Sequence, residues 1–269
     1  MTLELDHVRI GEDPGAALPV VSVVAAPGHP GVVAVETEQA PVLASLVAGG
    51  RMRPDDGRVL LDGHDDVAAV RRSFALVDTP GIAEPFPVMT LGRIVREELA
   101  FAGRRPSRAH VTTVLDELGM REYADTHVQR VPTDVRVRLL VELALLRDGV
   151  TGLVLTSPER HGGAVADWFA VVRDVARRGV TVVVVTSKAA AATVETLLDT
   201  VGSDAGTDAD PESDGDSAAG TDGRATHAAA APDTTPTEGP DDATRTDGGE
   251  PRLPSDPEAP ATVPTEAPA

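Results

Sequence analysis

The stretch from Val131 to Pro158 constrains this chain most, because it dictates a helix, a tight stop and a buried strand in immediate succession. Thr133 or Asp134 is placed to cap a helix, since a side-chain oxygen there satisfies free N–H groups of the first turn. Val135, Leu139, Leu140, Leu143 and Leu146 then recur at three- and four-residue steps, which predicts one buried stripe, with Arg136, Arg138 and Glu142 mostly off it. Asp148-Gly149 is expected to stop the helix. Leu153-Val154-Leu155 is short and wholly apolar, as befits a strand covered on both faces.

Other runs read the same way. Val32-Val33-Ala34-Val35 and Val180 to Val185 predict two more buried parallel strands, and Ser73 to Val77 a third. Leu3 to Val8 and Val20 to Ala25 predict strands separated by the Pro14-Gly15 turn. Thr90 and Ser107 each precede an amphipathic pattern, ending at Gly103 and Gly119, and Ala164 to Arg178 gives another with Trp168 and Phe169 inward. A last helix is expected over Ala189 to Thr200. Alternating apolar strands and helices imply an α/β fold with a mostly parallel sheet.

Composition divides the chain near Gly202. Residues 203–269 contain no Phe, Trp or Tyr and carry 16 acidic against 3 basic residues, a net of −13 out of −19 for the whole chain. Such a segment cannot bury a core, so it is expected to be a disordered acidic tail rich in Ala, Pro and Thr, serving as a spacer or as an arm for a basic partner. The acidic balance argues against nucleic acid, which calls for phosphate-neutralising cations. No cysteine is present, which excludes disulfides and thiolate metal sites. No run approaches the roughly 20 apolar residues of a spanning helix, and the N-terminal residues lack a signal-peptide pattern. The seven histidines show no metal-binding spacing, and His161 reads as a loop histidine.

The order of parts resembles the ATP-binding cassette of ABC transporters. Arg138 to Leu145 falls on that family's Arg-x-x-x-Ala-x-Ala-Leu helix motif, and Pro158 ends its Asp-Glu-Pro strand. "Leu-Ala-Gly, basic residue, Pro, acidic turn, Gly, strand, Asp-Gly" is matched by Leu46 to Gly63, and Leu118-Gly119-Met120-Arg121-Glu122-Tyr123-Ala124 echoes a helical-subdomain motif. The resemblance implies a P-loop NTPase-like cassette over residues 1–202, with a parallel central sheet, an antiparallel β edge and a helical subdomain at about 85–150.

The chemistry of that family is missing at its positions. Glu36, Thr37, Glu38 and Gln39 stand where its phosphate loop would be, and the Gly31 to Gly49 spacing is about four residues shorter. A phosphate loop works through glycines that turn successive N–H groups inward and a lysine that reaches the outer phosphates; the one lysine here is Lys188. A carboxylate about 4 Å from a phosphate costs roughly 4 kcal/mol at an effective dielectric near 20. Pro132-Thr133-Asp134 replaces the Ser-Gly-Gly of the signature loop, Thr156-Ser157 replaces Asp-Glu before the proline, and Ser187 the switch histidine. Asp78-Thr79 stands where a metal-sensing glutamine is usual. Asp78 can be imagined to hold Mg²⁺ there, but beside Pro80 it reads as a turn former.

Taken together the resemblance implies a non-hydrolysing cassette, with no bound cofactor, that acts as a structural or regulatory partner of a transmembrane transporter subunit or of an active cassette. Its expected place is the cytoplasm, peripheral to the inner face of the cell membrane. The alternatives are an ATPase with a rearranged or composite site, binding ATP and Mg²⁺, and a soluble scaffold.

Overall fold

The structure, a computed structural model, describes residues 1–204 except 13, 37 and 38. Four parallel strands form its centre: β3 (Gly31–Ala34), β5 (Phe74–Val77), β6 (Gly152–Thr156) and β7 (Thr181–Thr186), in the order β3-β7-β6-β5. Because side chains alternate across a strand, each strand feeds two cores. Ala75, Val77, Leu153, Leu155, Val182 and Val184 face one of them. Phe74, Leu76, Val154, Val183 and Val185 face the other.

Over the first face pack α5 (Thr133–Ala144), α6 (Val165–Arg177) and α7 (Lys188–Asp204). Trp168 and Phe169 are fully buried there, their rings edge to face at 6.0 Å. Over the second face lie α1 (Ala40–Ala48) and an antiparallel sheet. That sheet is separate, not an edge of the parallel one: β1 (Leu3–Ile10) sits between β2 (Leu18–Ala25) and β4 (Asp56–Leu61). Leu3, Leu5 and Val8 of β1 are buried in the second core. α2 (Val67–Ser73) links β4 to β5.

Between β5 and β6 the chain leaves the sheet to form α3 (Leu91–Phe101) and α4 (Arg108–Glu117), then returns through α5. The expected caps are in place: Thr90 Oγ1 accepts from Arg93 N at 3.4 Å and Ser107 Oγ from His110 N at 3.2 Å.

Three expectations need correction. Pro132, not Thr133 or Asp134, occupies the cap position of α5, and no side chain caps it. The helix stops at Ala144 rather than at Asp148, and its last turns tighten through Leu146 and Arg147. Arg136 is not off the buried stripe: it is 2% exposed. Asp62 to Asp66 is a tight turn closed by the Leu61–His64 pair, then a helix start, where Asp66 Oδ1 accepts from Ala69 N at 2.8 Å. The acidic tail lies outside the described residues, apart from 203 and 204, which are the last of α7.

Candidate functional site

At the carboxyl end of the parallel sheet, β5 runs into Asp78 and β6 into Ser157. Both are non-glycine residues in the left-handed region, at φ +56° and +43°. A positive φ turns the chain sharply off the strand, and residues held this way persist only where their surroundings over-determine them. At Asp78 the surroundings are evident. The carboxylate is 0% exposed and receives a bidentate guanidinium: Arg136 Nε donates to Oδ2 at 2.9 Å and its terminal nitrogen to Oδ1 at 2.6 Å. Arg160 stands 3.1 Å from Oδ1, and His161 Nε2 lies 2.9 Å from Oδ2. A carboxylate can only accept, so Nε2 carries the hydrogen in that bond.

Glu84 completes the group, its Oε1 at 3.2 Å from Arg160 and 3.8 Å from Arg136. Two guanidiniums thus balance two carboxylates. Burial acts most strongly on Asp78 and works to raise its pKa, yet the His161 and Arg136 hydrogen bonds and the charges of Arg136 and Arg160 outweigh it. The carboxyl is held well below the ordinary carboxylate range. Asp78, Glu84 and His161 bring ligand atoms within 4.8 Å of one another, the spacing of a cation site. Their charge is already spoken for, however, and a metal ion would have to displace guanidiniums from both carboxylates.

Beside this cluster runs a buried chain of hydroxyls. Thr79 Oγ1 and Thr156 Oγ1 are 2.8 Å apart, Thr156 Oγ1 is 2.8 Å from Ser45 Oγ, and Ser45 donates to the Pro41 carbonyl at 2.8 Å. It ties the ends of β5 and β6 to α1. Thr133 Oγ1, expected to cap α5, instead donates toward the carbonyls of Gly162 (2.8 Å) and His161 (3.2 Å) and so holds the loop that carries His161. Pro132 and Asp134 start α5 beside it.

The remaining positions named from the sequence lie toward β3 and β7. Glu36 does not stand idle: its Oε1 accepts from Lys188 N at 2.6 Å, while Glu159 Oε1 accepts from Ser187 N at 2.8 Å. Two carboxylates therefore satisfy the first amides of α7, where the helix dipole favours negative charge. Ser187 Oγ accepts from Ala190 N at 3.3 Å. Gln39 is the cap residue of α1 and makes no side-chain cap bond. Thr37 and Glu38 lie outside the described residues.

Of the sequence candidates, then, Asp78, Thr79 and Thr156 converge; Glu36 and Ser187 meet elsewhere. Arg136, Arg160 and Glu84 were missed. Arg136 stands four residues before Leu140 and seven before Leu143, so the helical period already placed it on the inward line.

A cleft of about 540 Å³ opens next to the cluster, bounded by the 79–89 segment, β5, α3 and α5. Asp78 and Glu84 line it together with Leu76, Met89 and Leu140. At its rim, large apolar side chains face solvent: Ile82 at 57%, Phe86 at 76% and Phe101 at 75% exposure. Its charged wall is paired internally, with Arg147 on Glu98 at 2.6 Å and Arg93 on Glu97 at 3.0 Å.

No family model and no curated protein sequence matches this chain. Solved structures do. An ATP-binding subunit of an ABC transporter is 17% identical, with a TM-score of 0.47 over 71% of this chain and 82% of that one. A provisionally assigned ABC transporter ATP-binding protein from Pyrococcus furiosus is 11% identical, with a TM-score of 0.50 over 70% and 92%. A nucleotide-free ATP-binding cassette from an ABC transporter is 16% identical, with a TM-score of 0.51 over 74% and 85%. At these identities the last two establish architecture: the chain has the α/β fold of an ABC transporter ATP-binding cassette, with its parallel and antiparallel sheets and its helices.

Proposed function

We propose that this protein is a cassette that has given up nucleotide chemistry and serves as a structural or regulatory subunit, docking on a transmembrane transporter subunit at the inner face of the membrane. The observation that carries the reading is the cleft beside Asp78, rimmed by Ile82, Phe86 and Phe101. Clustered exposure of large apolar side chains around a concavity marks an interaction surface rather than ordinary solvent-facing chain. An amphipathic helix of the partner, offering apolar anchors at helical spacing, fits a groove of this kind. No helix among the described residues is long and apolar enough to cross a membrane, so the membrane connection in this reading runs through the partner.

The loss of nucleotide chemistry is supported by residues at the sites where phosphate would be held. The β3 to α1 connection has no glycine and no lysine, and Glu36 spends its charge on the amides of α7. The Asp78 carboxylate is neutralised by arginine, which leaves it without the free lone pairs that a Mg²⁺ ion needs.

The test compares the full-length chain with its Phe86→Glu, Phe101→Glu double variant in affinity purification from detergent-solubilised native membranes. A transmembrane transporter subunit recovered by the native chain and lost from the variant supports the reading. Recovery of no transporter subunit, or equal recovery by both, overturns it.

A further inference from the structure

The 79–89 segment that walls the cleft is held at its ends. Ile82 N and Ala83 N donate to the Thr79 carbonyl at 3.0 and 2.9 Å. At the far end Met89 N donates to Phe86, and Val128 N and Gln129 N donate to the carbonyls of Met89 and Pro87 at 2.8 and 3.3 Å. The middle has little backbone to offer, because Pro80, Pro85 and Pro87 carry no N–H. Among the described residues, the one side chain of this segment in an ion pair is Glu84.

We propose that Glu84 is a latch that holds this segment closed against Arg160 and Arg136, and that releasing it opens the cleft; the inference rests on the cleft being the docking face. The geometry favours a two-position device. Arg160 bridges Asp78 and Glu84 at 3.1 and 3.2 Å. When Glu84 swings into water, Asp78 keeps Arg136, Arg160 and His161, and the excess positive charge falls on Arg160, whose side chain reaches solvent. The side chains of Glu84 and Arg160 are each partly exposed, so their pairing is weak enough to be broken and made again. Opening moves Ile82 and Phe86 with the segment and widens access to Leu76 and Leu140 behind it. The buried half is the fixed post, and the partly exposed glutamate is the moving part.

Native-state hydrogen exchange on the full-length chain, without partner, tests this. In Glu84→Gln, exchange at Ile82 and Ala83 is expected to quicken about fivefold to tenfold while β6 and α5 keep native rates. In the native chain, raising ionic strength from about 0.05 to about 0.5 M should quicken the same two amides and leave the Arg136 helix unmoved, because salt screens exposed pairs far more than buried ones. Unchanged exchange in the variant overturns the proposal, as does a rise spread evenly over β5, β6 and α5. Because no partner is present, a loosened segment in a protein that recovers no transporter subunit would leave the latch standing and sink only the docking reading.

Discussion

Asp78 is the residue on which the carboxyl end of the sheet turns. Replacing it by Asn keeps the shape and tolerates the same left-handed backbone, so the change isolates charge. It leaves Arg136, at 2% exposure, with Glu84 at 3.8 Å in place of the hydrogen-bonded Asp78 carboxylate. Breaking a buried pair from one side typically costs about 3–5 kcal/mol, and a loss of that size is expected for Asp78→Asn in denaturant unfolding. The pH dependence follows from the lowered pKa. Because the folded carboxyl holds its proton less tightly than the unfolded one, the stabilisation is fully present above the ordinary value near 4 and fades as pH falls toward the folded one. The native chain should therefore lose stability steeply from about pH 5 downward, and the gap to Asp78→Asn should narrow over the same range. A gap that stays constant into acid would show that the charge of Asp78 is not what matters.

Among the elements, helices with polar caps and strands of unbroken apolar residues were legible because their signals are local. Thr90 and Ser107 announce α3 and α4, and Val32 to Val35, Leu153 to Leu155 and Val180 to Val185 announce the sheet. The site was legible only in part. Asp78 was visible as a polar residue at a strand end, but Arg136 and His161 reach it from 58 and 83 residues away. Only tertiary contact reveals those partners: local turn chemistry accounts for the turn at Asp78, whose φ is +56°, and not for its ion pairs. Gly152 shows the same limit in the sheet itself. It lies just before the Leu153 to Leu155 run read as a strand, yet it starts β6 opposite Phe74, and a Cβ there would overlap the Phe74 ring. Gly152→Ala should force that ring aside and cost about 1–3 kcal/mol by overpacking. Thermal unfolding checks it, and the additional change Phe74→Leu should restore part of the loss, because it removes the obstructing ring. No restoration would place the cost of the alanine elsewhere.

For the whole molecule the question is what the fold is used for. A cassette architecture puts strand ends, helix starts and a cleft on one side of the sheet, and here the groups on that side are spent on one another: Asp78 on two arginines, Thr79 on Thr156 and Thr156 on Ser45, Glu36 and Glu159 on α7. A nucleotide arriving there would have to displace each of these bonds and face carboxylates rather than a glycine-rich loop. Binding that does occur must appear as stabilisation, since a ligand at about 100 times its Kd adds roughly 2.7 kcal/mol to folding. In a domain of about 200 residues that corresponds to a melting temperature raised by about 5–10 °C. The full-length chain with millimolar Mg-ATP is expected to show no such rise, no saturable heat on titration and no release of phosphate. A clear rise would mean that the glutamates at α7 or the arginines at Asp78 give way to phosphate. The Glu36→Gln variant would then tell which: tighter binding in it points to the α7 end, and unchanged binding to the Asp78 end.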